Sequence, residues 1–268
     1  MDVIVNGRTT GSHQRWSDSA LRRLIIGLAH GGFWLAVIAL LALLLAGLGS
    51  RWGWWNFRFG FILLAWGAIG GAAAASCGGV ALLLLLGSRA RAGRTVVVLA
   101  LLGLLAGLVV FGIPWQWKRA AQRVPPIHDI TTDPDHPPSF VAVLPLRAGV
   151  PNPPDYGGPD IAAQQRVAYP EIKPLLLPIP PDQAFARALA AARAMDWQIV
   201  ADSPAEGRIE ATDTTLWFGF KDDIVVRIAS SDGGSRIDVR SVSRVGRSDV
   251  GTNARRIDAY LKRLTSAG

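Results

Sequence analysis

The segment from Arg240 to Asn253, Arg-Ser-Val-Ser-Arg-Val-Gly-Arg-Ser-Asp-Val-Gly-Thr-Asn, holds the best candidate for chemistry in this chain. Arg240, Arg244 and Arg247 lie along a run that reads as a strand leaving through Gly246 into a helix begun by Ser248 or Asp249. Guanidinium forks grip carboxylate and phosphate oxygens in pairs, and the free N–H groups of a helix start attract anions. Together with Arg227 and Asn253, the residues Arg240, Arg244, Arg247, Ser248 and Asp249 make a candidate site for a carboxylate or phosphate, such as a lipid headgroup or envelope glycan. The competing expectation is internal. Asp249 can cap the helix with its own carboxylate, and Asp222 or Asp223 can pair with the arginines.

Other chemistries lack parts. His128, Asp129, Asp133, Asp135 and His136 cluster in sequence, but neither an HExxH helix nor an EF-hand loop is present. His128, Asp133 and His136 are therefore weak metal candidates in a polar loop, and no cofactor is expected. The chain has no GxSxG elbow, phosphate loop or dinucleotide fingerprint. Asp222 and Asp223 are neighbours on a strand and face opposite ways, which separates them as an acid–base pair. Ser241, Ser243 and Ser248 have only the two histidines of the proline-rich segment to call on as a base. A non-enzymatic role is favoured, with a membrane-bound hydrolase using the Arg240–Asn253 region as the alternative.

The elements that must position these residues follow from pattern. A helix is expected from Asp182 to Met195, with Phe185, Ala188, Leu189 and Ala192 on one face. Strands follow at Trp197–Val200, Arg208–Thr212, Thr215–Phe220, Ile224–Ala229 and Arg236–Val245, and a helix at Asp249–Leu264 with Val250, Ala254, Ile257, Leu261 and Leu264 in one stripe. This order predicts an α+β domain with an antiparallel sheet covered by helices. Asp232-Gly233 suits a two-residue hairpin turn. That register sets Ile228 opposite Ile237 and Val226 opposite Val239 on the core face. Arg227 then lies opposite Asp238, and Arg240 opposite Val225, on a face expected to be solvated and salt-bridged.

The Arg240–Ile257 stretch, with Phe218-Gly-Phe-Lys-Asp-Asp223, Arg227 and Ile127-His-Asp-Ile-Thr-Thr-Asp133, resembles the bacterial and plastid family called domain of unknown function 1499. The likeness runs from about Pro125 to Leu264. It implies a membrane-associated domain and brings no established activity, ligand or catalytic residue.

What precedes this domain is a different kind of sequence. Leu24–Leu48, Phe59–Leu86 and Val96–Ile113 contain no Asp, Glu, Lys or Arg. A bilayer core of roughly 30 Å needs about 20 such residues in helix, so three transmembrane helices are expected, with the lipid bilayer as a partner. The formal charge of +8 sits almost wholly in this part: residues 1–117 hold nine Arg against two Asp, whereas residues 118–268 are near neutral. A basic domain that would read as nucleic-acid binding is thus missing. Arg8, Arg15, Arg22 and Arg23 in the tail and Arg89, Arg91 and Arg94 in the second loop outnumber Arg51 and Arg58 in the first. The positive-inside rule then predicts a cytoplasmic N-terminus and a periplasmic C-terminal domain on an inner membrane. Trp52, Trp54, Trp55, Trp115 and Trp117 read as an interfacial belt. Gly67 with Gly71, and Gly103 with Gly107, mark close helix contacts, either within the chain or with a second copy or membrane partner. The lone cysteine, Cys77, excludes an intrachain disulfide.

The domain organisation expected is a tail at 1–23, membrane helices at 24–117, a proline-rich linker or wrapping segment at 118–181, and the α+β domain at 182–268. Residues 124–181 contain 15 of the 17 prolines, so regular helix or central strand is not expected there. Phe140, Val141, Val143, Leu144, Tyr156 and Tyr169 give this segment apolar anchors for packing on the folded domain.

Overall fold

The computed structural model describes residues 10–88 and 93–266, with side chains from residue 19 onward. Arg8, Arg89 and Arg91 and the side chain of Arg15, which carry part of the orientation argument, lie outside the described residues. The chain forms two compact units, one ending at Lys118 and one beginning at Arg119.

In the first unit, helices α1 (Thr10–Arg51), α2 (Phe57–Gly87) and α3 (Arg94–Ala121) contain the three apolar runs. All three are long and apolar enough to cross a membrane. Asn56 opens α2, its side chain accepting from the Arg58 N–H at 2.9 Å. The helices pack through their glycines. A Cβ on Gly107 would stand 2.5 Å from the Gly71 carbonyl and 2.6 Å from the Ala75 nitrogen. One on Gly103 would meet the Gly32 backbone at 3.0 Å, and one on Gly67 the Ala39 carbonyl at 3.2 Å. All four glycines singled out in the sequence are thus used between helices of the same chain. His30 bonds the Ile26 carbonyl one turn back, at 2.9 Å. Gly107→Leu should force α2 and α3 apart and lower the melting temperature of the detergent-solubilised protein by several degrees or more. Gly112→Leu, at a position with open space around it, should leave that temperature unchanged.

The second unit is an antiparallel sheet in the order β1-β6-β5-β4-β3, with β2 also on β6. Its strands are β1 (Asp129–Thr131), β2 (Leu175–Leu177), β3 (Gln198–Ser203), β4 (Arg208–Thr214), β5 (Lys221–Ser231) and β6 (Gly234–Ser243). The β5–β6 hairpin has the register expected from its turn: Ile228 faces Ile237, Val226 faces Val239, Arg227 faces Asp238 and Val225 faces Arg240. Helices α5 (Pro181–Ala194) and α6 (Thr252–Ser266) cover one face. There Phe185, Ala188, Trp197, Ile209, Ile224, Val226, Ile237, Ile257 and Tyr260 form the main core. Tyr260 stacks on Trp197 with centroids 4.8 Å apart and donates to the Ala188 carbonyl at 2.9 Å, tying α6 to α5.

Four expectations need correction. Thr215–Phe220 is a closed loop between β4 and β5, because the Thr215 N–H and the Gly219 N–H bond within the segment and Gly219 takes a left-handed φ of 69°. The last helix starts at Thr252, since Val250 and Gly251 both adopt positive φ. The proline-rich segment contributes β1, β2 and a helix, α4 (Pro159–Ala168), so it belongs to the fold. Finally, the second face of the sheet is covered. Residues 132–158 lie across it as a strap, with Phe140 and Val143 packed on Val225 and Val242.

Candidate functional site

Alternation along β6 divides the candidate residues between the two faces. Ile237, Val239, Ser241 and Ser243 turn toward the helices, while Asp238, Arg240, Val242 and Arg244 turn toward the strap. Beneath the strap, Arg240 is only 3% exposed. Its Nε and Nη2 donate to the two Asp129 oxygens at 3.0 and 2.7 Å. The remaining donors reach the carbonyls of Pro138 and Pro154 at 3.2 and 2.8 Å. The guanidinium lies over the rings of Phe140 and Tyr156. This one side chain therefore binds β1 and two turns of the strap. Burial pushes the Asp129 carboxyl up, against the pull of Arg240. Burial, helped by the Asp129 charge, also raises the Tyr156 hydroxyl to about 12.

Arg244 belongs to a second group. It grips Asp223 with Nε at 2.9 Å and Nη2 at 2.8 Å, while Arg147 from the strap reaches the same carboxylate at 2.6 Å. Thr212 donates to it at 2.7 Å. Burial alone would raise the Asp223 carboxyl, but these donors outweigh it and hold the group below the usual range. Asn152 completes the attachment, donating to the carbonyls of Ser243 and Gly246 at 3.0 and 2.9 Å. Toward the hairpin end, Arg227 and Arg236 share Asp133 and Asp238. Glu210, fully buried on β4, accepts from the consecutive N–H groups of Val141, Ala142 and Val143 at 3.0 to 3.1 Å.

The helix face carries its own polar cluster. Arg256 pairs with Asp213 at 2.8 Å and Asp222 at 2.6 Å. Asn253 donates to the His128 carbonyl and to Ser243 Oγ, and accepts from Ser241 and Arg256. At the start of α6, the Asp249 oxygens accept from the Gly251 and Asn253 N–H groups, both at 2.8 Å. Burial pushes this carboxyl up even so, against those two backbone donors. Ser248 Oγ takes the Val250 N–H at 3.2 Å. Asp222 and Asp223 thus face opposite sides of the sheet, as strand geometry requires.

The seven candidate residues consequently do not meet in one pocket. Arg240, Arg244 and Arg227 engage four different carboxylates beneath the strap, Asn253 is on the helix face, Asp249 caps α6, Ser248 bonds the Val250 N–H just before it, and Arg247 is exposed. Among the described residues, no group of three His, Cys, Asp or Glu side chains could hold a metal ion. His128 lies 3.4 Å from the Arg247 carbonyl, Asp133 is taken by arginines, and His136 is engaged through its backbone, donating its N–H to Asp133 and accepting from Arg227. Sequence reasoning missed Arg147, Asn152, Glu210 and Arg256. For Arg147 and Asn152 the one signal was their place among prolines, where a charged or amide side chain can supply what the backbone cannot pair.

This geometry defines a class: an α+β domain whose sheet is covered by helices on one face and sealed by an ion-paired proline-rich strap on the other, carried behind three apolar helices. The chain belongs to the family described as protein of unknown function (DUF1499), whose family model matches residues 129–264, just over half of the chain. That match begins at the Arg240 partner, Asp129, and takes in the whole strap. No curated protein matches the chain.

Proposed function

We propose that this is an integral membrane protein whose C-terminal domain is a non-enzymatic docking module. The observation that supports docking over anion binding is the internal use of the arginines. Five positions that would suit an anion are filled by Asp129, Asp223, Asp133 with Asp238, Glu210 and Asp249. A hydrolase reading meets the same obstacle, because the raised carboxyls of Asp129 and Asp249 spend both oxygens on donors of the chain itself. The outer side of the strap, by contrast, presents Val141, Leu144 and Leu146 to solvent, the kind of surface a membrane partner would cover. The arginine count of the flanking segments supports a cytoplasmic N-terminus and an extracytoplasmic domain on the plasma (inner) membrane.

Native mass spectrometry of the full-length protein, with a photo-crosslinker at Leu144, tests this reading. Docking predicts a discrete adduct from Leu144 in intact cells and no stoichiometric phosphate or glycan on the purified chain. A tightly held anion that disappears in the Arg240→Gln, Arg244→Gln double variant, with the fold intact by circular dichroism, would replace docking by ligand binding. A reporter fused after Gly268 should read out as extracytoplasmic.

A further inference from the structure

We infer that the β4–β5 loop is a lipid-contacting element that settles in the headgroup zone of the membrane, an inference that rests on the membrane-spanning reading of α1, α2 and α3. The loop is Thr215-Leu-Trp-Phe-Gly-Phe220, six residues without a charge. Its neck is closed by the Thr215 N–H on the Phe220 carbonyl at 2.8 Å, the Gly219 N–H on the Thr215 carbonyl at 3.1 Å and the Phe220 N–H on Thr215 Oγ1 at 2.9 Å. Phe218 stacks on Phe220 with centroids 5.3 Å apart, and Trp217 meets Phe218 edge-on at 5.2 Å. On this framework Leu216 is 85% exposed and Trp217 half-buried. A single exposed leucine carries no message. A leucine held beside an indole on a hydrogen-bonded tip is different, because it presents apolar area with little ordering left to do.

Two further observations select a lipid surface as the occupant. The first is where the chain enters this unit. The His128 carbonyl accepts from Ser243 and Asp129 pairs with Val242, at the end of β6 where Arg244 bonds Lys221 and β5 leaves the loop. Chain arrival and loop therefore share one end of the sheet, and the Asp232-Gly233 turn marks the other. Only residues 122–128 separate the last residue of α3 from β1, a tether of at most about 25 Å. The second observation is charge. Lys221 and Arg247 are exposed at this end, while Asp222 is held by Arg256 and Asp249 by the start of α6. Apolar tip and flanking cations together suit an interface of acyl chains and anionic headgroups.

The test uses the full chain in liposomes of phosphatidylcholine and phosphatidylglycerol, in a Cys77→Ala background that removes the lone cysteine. An environment-sensitive fluorophore is placed at Leu216→Cys, at Asp232→Cys on the opposite sheet end, and at Leu83→Cys, an exposed position on α2. Lipids carrying a shallow nitroxide should quench the Leu216 label to a degree comparable with the Leu83 label and leave the Asp232 label bright. Quenching at Leu83 with Leu216 behaving like Asp232 would overturn the loop proposal and leave the membrane reading standing. No quenching at Leu83 would remove the membrane reading and the proposal with it. A blue-shifted Leu216 label that lipid nitroxides do not reach would assign the loop to a protein surface and overturn the lipid assignment.

Discussion

Asp223→Ala should cost the C-terminal domain about 3–5 kcal/mol, the range for removing one partner of a buried charge group. Asp223 is wholly buried and is the common acceptor for Arg147, Arg244 and Thr212. Without it two guanidinium groups, one fully and one largely shielded from water, are left facing each other with no anion between them. Urea unfolding of the detergent-solubilised protein, followed by near-ultraviolet circular dichroism, reads this loss directly. A cost under about 1 kcal/mol, the value of an exposed pair, would mean that the strap does not seal the face. Replacing all three residues, as Arg147→Met, Asp223→Leu and Arg244→Met, should restore much of the lost stability, since apolar substitutes of similar volume often match a buried ion group.

The same carboxylate sets an acid limit. Its folded pKa lies below the usual value, so its contribution is complete above the unfolded value of about 3.9 and disappears as pH falls through the folded value. The stability difference between the parent and Asp223→Ala should therefore shrink below about pH 4. Asp129 and Asp249, with raised values, work in the opposite sense. Their ionisation above the unfolded value penalises the folded state, which offsets part of the acid sensitivity that Asp223 confers.

What could be read from the sequence was whatever repeats at a fixed period or sits in a local turn. The three helices follow from uninterrupted apolar runs. The β5–β6 register follows from Asp232-Gly233, because a two-residue turn fixes every pair above it. The strap carries no such period. Its conformation is dictated by distant partners, Arg240 on the carbonyls of Pro138 and Pro154 and Glu210 on three N–H groups, and a polypeptide chain does not advertise which carboxylate will cap it. The misjudged face has the same origin. Asp238, Arg240 and Arg244 alternate with Val239 and the serines as residues of a solvated face would, and an alternating pattern is silent about a lid supplied from elsewhere in the chain. Of the candidate residues, Arg227, Arg240 and Arg244 bind carboxylates, and these come from Asp129, Asp133, Asp223 and Asp238 of the same chain. Thr215–Phe220 looked like a strand because aromatic and β-branched residues favour one; Gly219 with φ of 69° turns it into a loop.

Glu210→Ala should open the strap without unfolding the sheet. The carboxylate is the acceptor for the N–H groups of Val141, Ala142 and Val143 and lies 2.9 Å from Arg208. With it gone, each N–H that stays shielded costs about 1–3 kcal/mol. Val143 is fully buried whereas Val141 is exposed, so the segment can escape part of this penalty by lifting toward water. A local cost near 3 kcal/mol corresponds to a rise of roughly a hundredfold in amide exchange. Hydrogen exchange read by mass spectrometry should show that rise over residues 139–147 and little change in β5 and β6. Glu210→Gln, which keeps one acceptor oxygen but loses the charge, should fall between the two. Uniform acceleration across the sheet would instead make the strap and sheet a single cooperative unit. The distinction bears on function, because a strap that opens alone would withdraw Arg147 from Asp223 and uncover Arg240 and Arg244 on the sheet. Phosphate added to Glu210→Ala then decides whether that face can hold an outside anion. Faster exchange over residues 139–147, the effect of an anion that binds only the open form, would mean that it can, and unchanged exchange would mean that these arginines serve only the carboxylates of their own chain.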